Sequence, residues 1–136
     1  YFDSSQGSME HIDFTEPYSS DLRRALIGAA EILGLSAQKT GTYGATQGPR
    51  LETAAEIRRL ALDGCTIVGM TGMPEAALAR ELGVDYANIS LVVNRAAGCG
   101  DKSISMASIG RELTRGADKV RAVISAATAL VARKPN

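Results

Sequence analysis

This chain has little histidine, little cysteine and no net charge. A single histidine, His11, and two cysteines, Cys65 and Cys99, occur in 136 residues, with no CxxC pair and no zinc-ligand spacing. A metal site and a disulfide framework are therefore not expected, and a reducing cytoplasm is the expected setting. Lysine plus arginine equals aspartate plus glutamate at 15 each, so no net field favours nucleic acid or an anionic membrane. No apolar run approaches the roughly 20 residues of a membrane span, and Tyr1-Phe2-Asp3 does not open like a secretory signal. Internal repeats, low-complexity tracts, a GxGxxG loop and a Walker loop are missing as well. The expectation is a soluble cytoplasmic protein with one modest domain, able to bury roughly two-thirds of its unfolded surface.

What is present centres on Gly41 to Glu56. Three glycines and a Gly-Pro pair lead abruptly into a helix-forming run. Gly48 can take positive φ and Pro49 sets its own, so the backbone is a shaped turn. Thr53 and Glu56 have capping-box spacing, which places Arg50, Leu51 and Glu52 on the tight approach to a helix N-terminus. An ordinary strand-to-helix connector would read the same way.

Around that turn, the first residues are polar with apolar positions at Met9, Ile12 and Phe14, ahead of an extended Glu16-Pro17 step. Ser19 or Ser20 can cap a helix over 21–33, with a stripe of Leu22, Ala25, Leu26, Ala29, Ala30 and Leu33 and a stop at Gly34. A second helix is predicted over 53–63, stopped by Gly64, then a buried strand over 65–70. Pro74 opens a third helix that Gly83 closes, and 84–93 reads as a second strand ending at Asn94. Residues 96–103 are linker-like. Apolar residues from Met106 through Ile109, Leu113, Val120, Val123, Ile124, Ala127 and Leu130 predict a long helix over 105–132, weakened at Gly110 and Gly116. Alternating strands and helices argue an α/β fold with a largely parallel sheet, whose ligands collect beyond the C-terminal strand ends, here Met70-Thr71 and Asn94.

Three blocks, Gly48-Pro49-Arg50-Leu51-Glu52-Thr53, Val68-Gly69-Met70-Thr71-Gly72-Met73-Pro74-Glu75 and Ser90-Leu91-Val92-Val93-Asn94, match in order and spacing a known pattern. They make the chain resemble the trimeric-type purine nucleoside phosphorylases, nearest the methylthioadenosine and methylthioinosine branch, from about Phe2 to about Val131. The resemblance implies a Rossmann-like mixed sheet flanked by helices, with residues 1–136 as the C-terminal half of one phosphorylase domain. It implies a pentosyltransferase that cleaves the glycosidic bond of a 6-oxopurine nucleoside such as methylthioinosine. Inorganic phosphate is the co-substrate, there is no other cofactor, and a homotrimer forms together with an upstream half. That upstream half carries the family's phosphate loop and an Arg-His pair, neither of which has a counterpart here.

Such chemistry develops positive charge on the sugar and negative charge on the departing purine, so it needs base donors, an apolar wall and a phosphate clamp. The resemblance assigns Asn94 and Glu52 to the base: an amide can meet O6 and N7-H together, and a carboxylate can accept from N1-H. Adenine-preferring relatives typically carry Asp at this position and a second Asp two residues on, where this chain has Asn94 and Ala96. Leu51 stands where Phe is usual and Gln47 where Glu is common. Met70 is implied against the ribose and Thr71 at phosphate or a sugar hydroxyl. His11, reaching across a subunit boundary, and Met106 and Ile109 are implied at the 5' end, where an apolar lining suits a methylthio group. On pattern alone, Asn94 could simply end a strand, Glu52 could be a solvated first-turn glutamate, Met70 could be core, and His11 could be a surface residue. Other readings are a methylthioadenosine phosphorylase, a general inosine/guanosine phosphorylase, a nucleosidase of the same fold, and a non-catalytic α/β nucleotide-binding module. The nucleosidases carry Glu-Met-Glu where this chain has Gly69-Met70-Thr71.

Overall fold

The computed structural model describes residues 11–100 and 103–132. Met9 and the Asp101-Lys102 part of the linker-like stretch lie outside them. Helix α1 spans Ser20–Ile32, and its N-cap is Ser19, whose hydroxyl accepts from the Leu22 amide at 3.4 Å. Strand β1, Tyr43–Ala45, is followed by helix α2, Ala54–Leu62, and strand β2, Ile67–Gly69. Helix α3, Glu75–Glu81, and the long α4, Met106–Ala132, complete the order. The fold class is α/β, as expected.

β1 and β2 run parallel with Tyr43 opposite Ile67, Gly44 opposite Val68 and Ala45 opposite Gly69. Parallel neighbours need a crossover, and α2 supplies it, burying Ile57. The pairing continues past both strand ends, with the Thr66 amide donating to the Thr42 carbonyl and the Thr46 amide to the Gly69 carbonyl, each at 2.9 Å. β1 is the element the sequence reading did not anticipate. A glycine-rich stretch has low strand propensity, but Gly44 is buried in this pairing, where a side chain would meet the Cys65 sulfur.

The second predicted strand does not form. Residues 84–93 are extended, yet among the described residues they have no ladder partner, and Val84 and Val92 are 58% and 67% exposed. A β-branched run favours extended backbone, but a strand exists only where neighbouring backbone takes its hydrogen bonds. Here the segment is held in other ways. The Tyr86 carbonyl accepts from the Ser19 amide at 2.7 Å, and Tyr18 stacks on Tyr86 with ring centroids 6.2 Å apart.

The core is a small-residue seam between α1 and α4, made of Ala29, Ala30, Val123 and Ala127 with Leu26, Leu35 and Leu130 packed around it. Alanines allow close helix approach but bury little apolar area each. The 13 residues of α1 cannot cover the 27 of α4. Much of the predicted apolar stripe is accordingly open: Met106 is 75% exposed, and Leu113 and Ile124 nearly half. Gly116 has a packing role besides. α4 runs unbroken through it, it is buried, and a Cβ there would lie 2.5 Å from Leu91. The glycine is the notch that lets α4 cross the 84–93 segment.

The start of α2 is the most densely bonded local structure. The Glu56 carboxylate accepts from the Thr53 amide at 2.7 Å, and the Glu56 amide donates to the Thr53 hydroxyl at 3.2 Å, closing the predicted capping box. Arg50 adds a fork, with its two terminal nitrogens donating to Glu56 at 2.8 and 2.7 Å. The Arg50 hydrogen bonds and those from Thr53 hold the Glu56 carboxyl well below the usual carboxylate range. Because the folded value lies below the unfolded one, the stabilisation is complete above the ordinary 4.5 and is lost as pH falls from there toward the folded value. Acid should therefore fray α2 first, and Glu56→Gln should flatten the acid limb of a urea-midpoint-versus-pH curve. An equally steep limb in the variant would place the pH sensitivity elsewhere.

Candidate functional site

Two stretches meet at the C-terminal end of β2, and a third packs against the start of α2. From the turn before α2 comes Glu52, half-buried, whose Oε1 accepts the Thr46 hydroxyl proton at 2.6 Å. Thr46 is itself tied to the end of β2 through the Gly69 carbonyl, so Glu52 is registered to the sheet. From β2 come Met70, half-buried, and Thr71, exposed. Gly48, at φ +63, lies against the Met70 sulfur, and a Cβ there would come within 2.5 Å of it. A side chain at residue 48 would thus be strained by the backbone and blocked by Met70 at once. From the segment after 93 comes the loop at Gly98, at φ +78, where a Cβ would lie 2.7 Å from that of Ala54, the first residue of α2. This contact brings the loop that follows Asn94 against the helix that follows Glu52.

Asn94 is half-buried, and its Nδ2 donates to the Arg95 carbonyl at 2.8 Å. One amide proton and Oδ1 have no partner among the described residues, and neither does Glu52 Oε2. The group as a whole offers a donor, two acceptors and an apolar patch. Arg50, the nearest cation in sequence, forms its ion pair with Glu56 and acts on Glu52 only through the field of its charge. Leu51 is 42% exposed at the mouth of the turn, Ala96 is half-buried, and Gln47 is exposed. Among the described residues no side-chain hydrogen bond or ion pair joins His11, Met106 or Ile109 to this cluster. His11 is exposed, Met106 sits on the open first turn of α4, and Ile109 is half-buried one turn on. Among the described residues no group of three His, Cys, Asp or Glu side chains could hold a metal ion, and no helix is long and apolar enough to cross a membrane.

Two residues that sequence reasoning passed over organise the site. The Tyr43 hydroxyl accepts from the Thr71 amide at 3.2 Å, and its ring lies flat against Gly69 and Gly72. Thr46 holds Glu52 from six residues upstream. Neither spacing is a motif. The available signal was the period of two that places Tyr43 and Thr46 on opposite faces of a short extended run. On the far side of β1 an open groove of about 1020 Å³ runs between Tyr18, Arg23, Arg80 and Tyr86. Tyr43 lines it, while Glu52, Met70, Thr71 and Asn94 do not, so the groove adjoins the cluster through Tyr43.

An α/β crossover unit with polar groups gathered beyond a parallel strand end is the general form of a small-ligand site in this fold class. Residues 1–129 match the phosphorylase superfamily, and the chain belongs to that family. It is 53% identical over 110 residues to a probable S-methyl-5'-thioinosine phosphorylase of Xanthomonas campestris, covering 80% of this chain and 44% of that protein. It is 44% identical over 124 residues to a 6-oxopurine nucleoside phosphorylase of Pyrococcus furiosus, covering 91% and 47%. The chain thus spans about half the length of the curated relatives it matches. A solved methylthioadenosine phosphorylase from Schistosoma mansoni, in complex with adenine, shares the fold at a TM-score of 0.89 and 24% identity, over 99% of this chain and 53% of that one.

Tyr43→Phe keeps the ring against Gly69 and Gly72 and removes only the hydroxyl acceptor. It should lower stability by about 0.5–1.5 kcal/mol in chemical denaturation and speed amide exchange at Thr71. Unchanged exchange at Thr71 would show that the hydroxyl does not hold this turn.

Proposed function

We propose that this chain is the base-recognising, C-terminal half of a purine nucleoside phosphorylase acting on 6-oxopurine nucleosides, with methylthioinosine as the preferred kind. The observation that carries the proposal is the half-buried Glu52 carboxylate. It is fixed by Thr46 at the end of β2 and has one oxygen free to accept from a purine N–H. The names of the two relatives support the 6-oxopurine class, and the Xanthomonas protein's name supports the methylthio substituent. A half-domain agrees with the surface. Apolar residues such as Leu62 and Leu82 stand 88% and 77% open.

In the proposed reaction an oxygen of inorganic phosphate bonds to the sugar's anomeric carbon as the bond to purine N9 breaks. The electron pair of that bond passes to the purine, which takes up a proton from water at N7 and leaves as the neutral base. Products are hypoxanthine and a methylthioribose 1-phosphate. Asn94 and Glu52 hold O6, N7-H and N1-H, Leu51 and Ala96 wall the base, and Met70 lies along the sugar. Thr71 reaches phosphate or a sugar hydroxyl, and His11, Met106 and Ile109 close the 5' end in the assembled protein. Phosphate is co-substrate, no other cofactor takes part, and a cytoplasmic homotrimer serving purine salvage is the proposed form.

Phosphate dependence is the first test. Cleavage of methylthioinosine by the complete protein should require inorganic phosphate, while phosphate-independent cleavage would indicate a nucleosidase instead. Asn94→Asp is the second. An ionised carboxylate offers only acceptors and repels O6, so kcat/KM for inosine-type substrates should fall relative to adenosine-type ones. The ratio should move roughly ten- to a hundredfold, as a buried polar mismatch of about 1–3 kcal/mol predicts. The loss on the oxo substrate is the larger part, because Ala96 leaves adenine without a second acid. An unchanged ratio would remove Asn94 from the base site.

A further inference from the structure

We infer that Thr46 is a specificity-determining positioning residue, one that acts on the base through Glu52. The inference deepens the reading of Glu52 as the acceptor for a purine N–H and rests on it.

The Thr46 hydroxyl has one proton and two acceptors in reach, Glu52 Oε1 at 2.6 Å and the Gly69 carbonyl at 3.4 Å. The Gly69 carbonyl already receives the Thr46 amide at 2.9 Å, so the hydroxyl proton belongs to the carboxylate. Thr46 directly follows β1, and its amide is bonded to the end of β2, so its backbone is fixed. β-Branching then restricts its side-chain rotamer. The hydroxyl direction is set by the sheet, and with it the choice of which carboxylate oxygen is anchored and which is presented.

Arg50, the cation nearest in sequence, cannot take over this task. It spends both terminal nitrogens on Glu56 within the capping box. Glu52 therefore faces a ligand as an acceptor oriented by a hydroxyl hydrogen bond, with the Arg50 charge felt only at a distance. A base with N–H at that edge, the 6-oxopurine class, finds an acceptor already aimed. A 6-aminopurine, which carries a lone pair at the same ring position, meets acceptor against acceptor. Without the hydroxyl, the carboxylate would rotate on the turn and ordering it would fall to the ligand.

The test uses the complete enzyme and three variants: Thr46→Val, which keeps the branched shape and loses the hydroxyl, Thr46→Ser, which keeps the hydroxyl, and Glu52→Ala. Thr46→Val should lower kcat/KM for inosine-type substrates roughly tenfold, while Thr46→Ser stays within about twofold of the parent. In the Glu52→Ala background Thr46→Val should cost less than about twofold, since the group it aims is gone. A Thr46→Val loss that persists in that background, or one that serine does not rescue, overturns the inference by making the effect general packing. No loss in Thr46→Val while Glu52→Ala is impaired also overturns it and leaves the base assignment standing. An unimpaired Glu52→Ala removes the base assignment itself.

Discussion

The parallel pairing of β1 with β2 is the constraint on which the candidate site depends. It is short, with three residues on each strand, but its flanks carry the chemistry. Tyr43 and Thr46 lie on one stretch, Met70 and Thr71 on the other; the Thr71 amide donates to the Tyr43 hydroxyl across the end of the ladder, and Thr46 donates to Glu52 in the turn before α2. Those side chains turn a backbone register into a side-chain geometry. A shift of one residue would send Tyr43 and Thr46 to the opposite faces, detaching Thr71 and Glu52 together.

Next to that pairing, the start of α2 works as an insulated unit. Thr53, Glu56 and Arg50 satisfy one another, so the hydrogen bonds of a basic residue two positions from Glu52 are spent within the cap, and only its charge is felt by Glu52. Exposed ion pairs elsewhere, such as Arg59 with Asp63 and Arg115 with Glu112, contribute little by comparison because water competes for both partners. The bonds around Glu56 are organised by a helix terminus and a fork, which is why that carboxyl departs far from ordinary behaviour.

The seam between α1 and α4 is a different kind of interaction. Its alanines and the Gly116 notch let backbones come close, with little apolar area gained from each residue. The open faces of α4 and of the 84–93 segment follow from the same geometry: a long helix and an extended segment carry more apolar pattern than this chain has elements to cover.

How much was legible in advance differs by the range of the interaction. Helices α1, α2 and α4, the capping box and the glycine stops at 34, 64 and 83 were readable, because caps, stripes and stops act within a turn or two of the residues that cause them. The three blocks that resemble a phosphorylase also lie in local sequence, and so did the family. Tertiary structure alone decided that 84–93 would not join a sheet, since extended propensity does not supply a ladder partner. It also decided that Gly44, Gly48 and Gly116 would serve as contact surfaces for Cys65, Met70 and Leu91. The bonds of Tyr43 to Thr71, 28 residues on, and of Thr46 to Glu52 were equally hidden. Each depends on where a folded backbone brings two side chains, a distance in space that spacing along a chain does not encode.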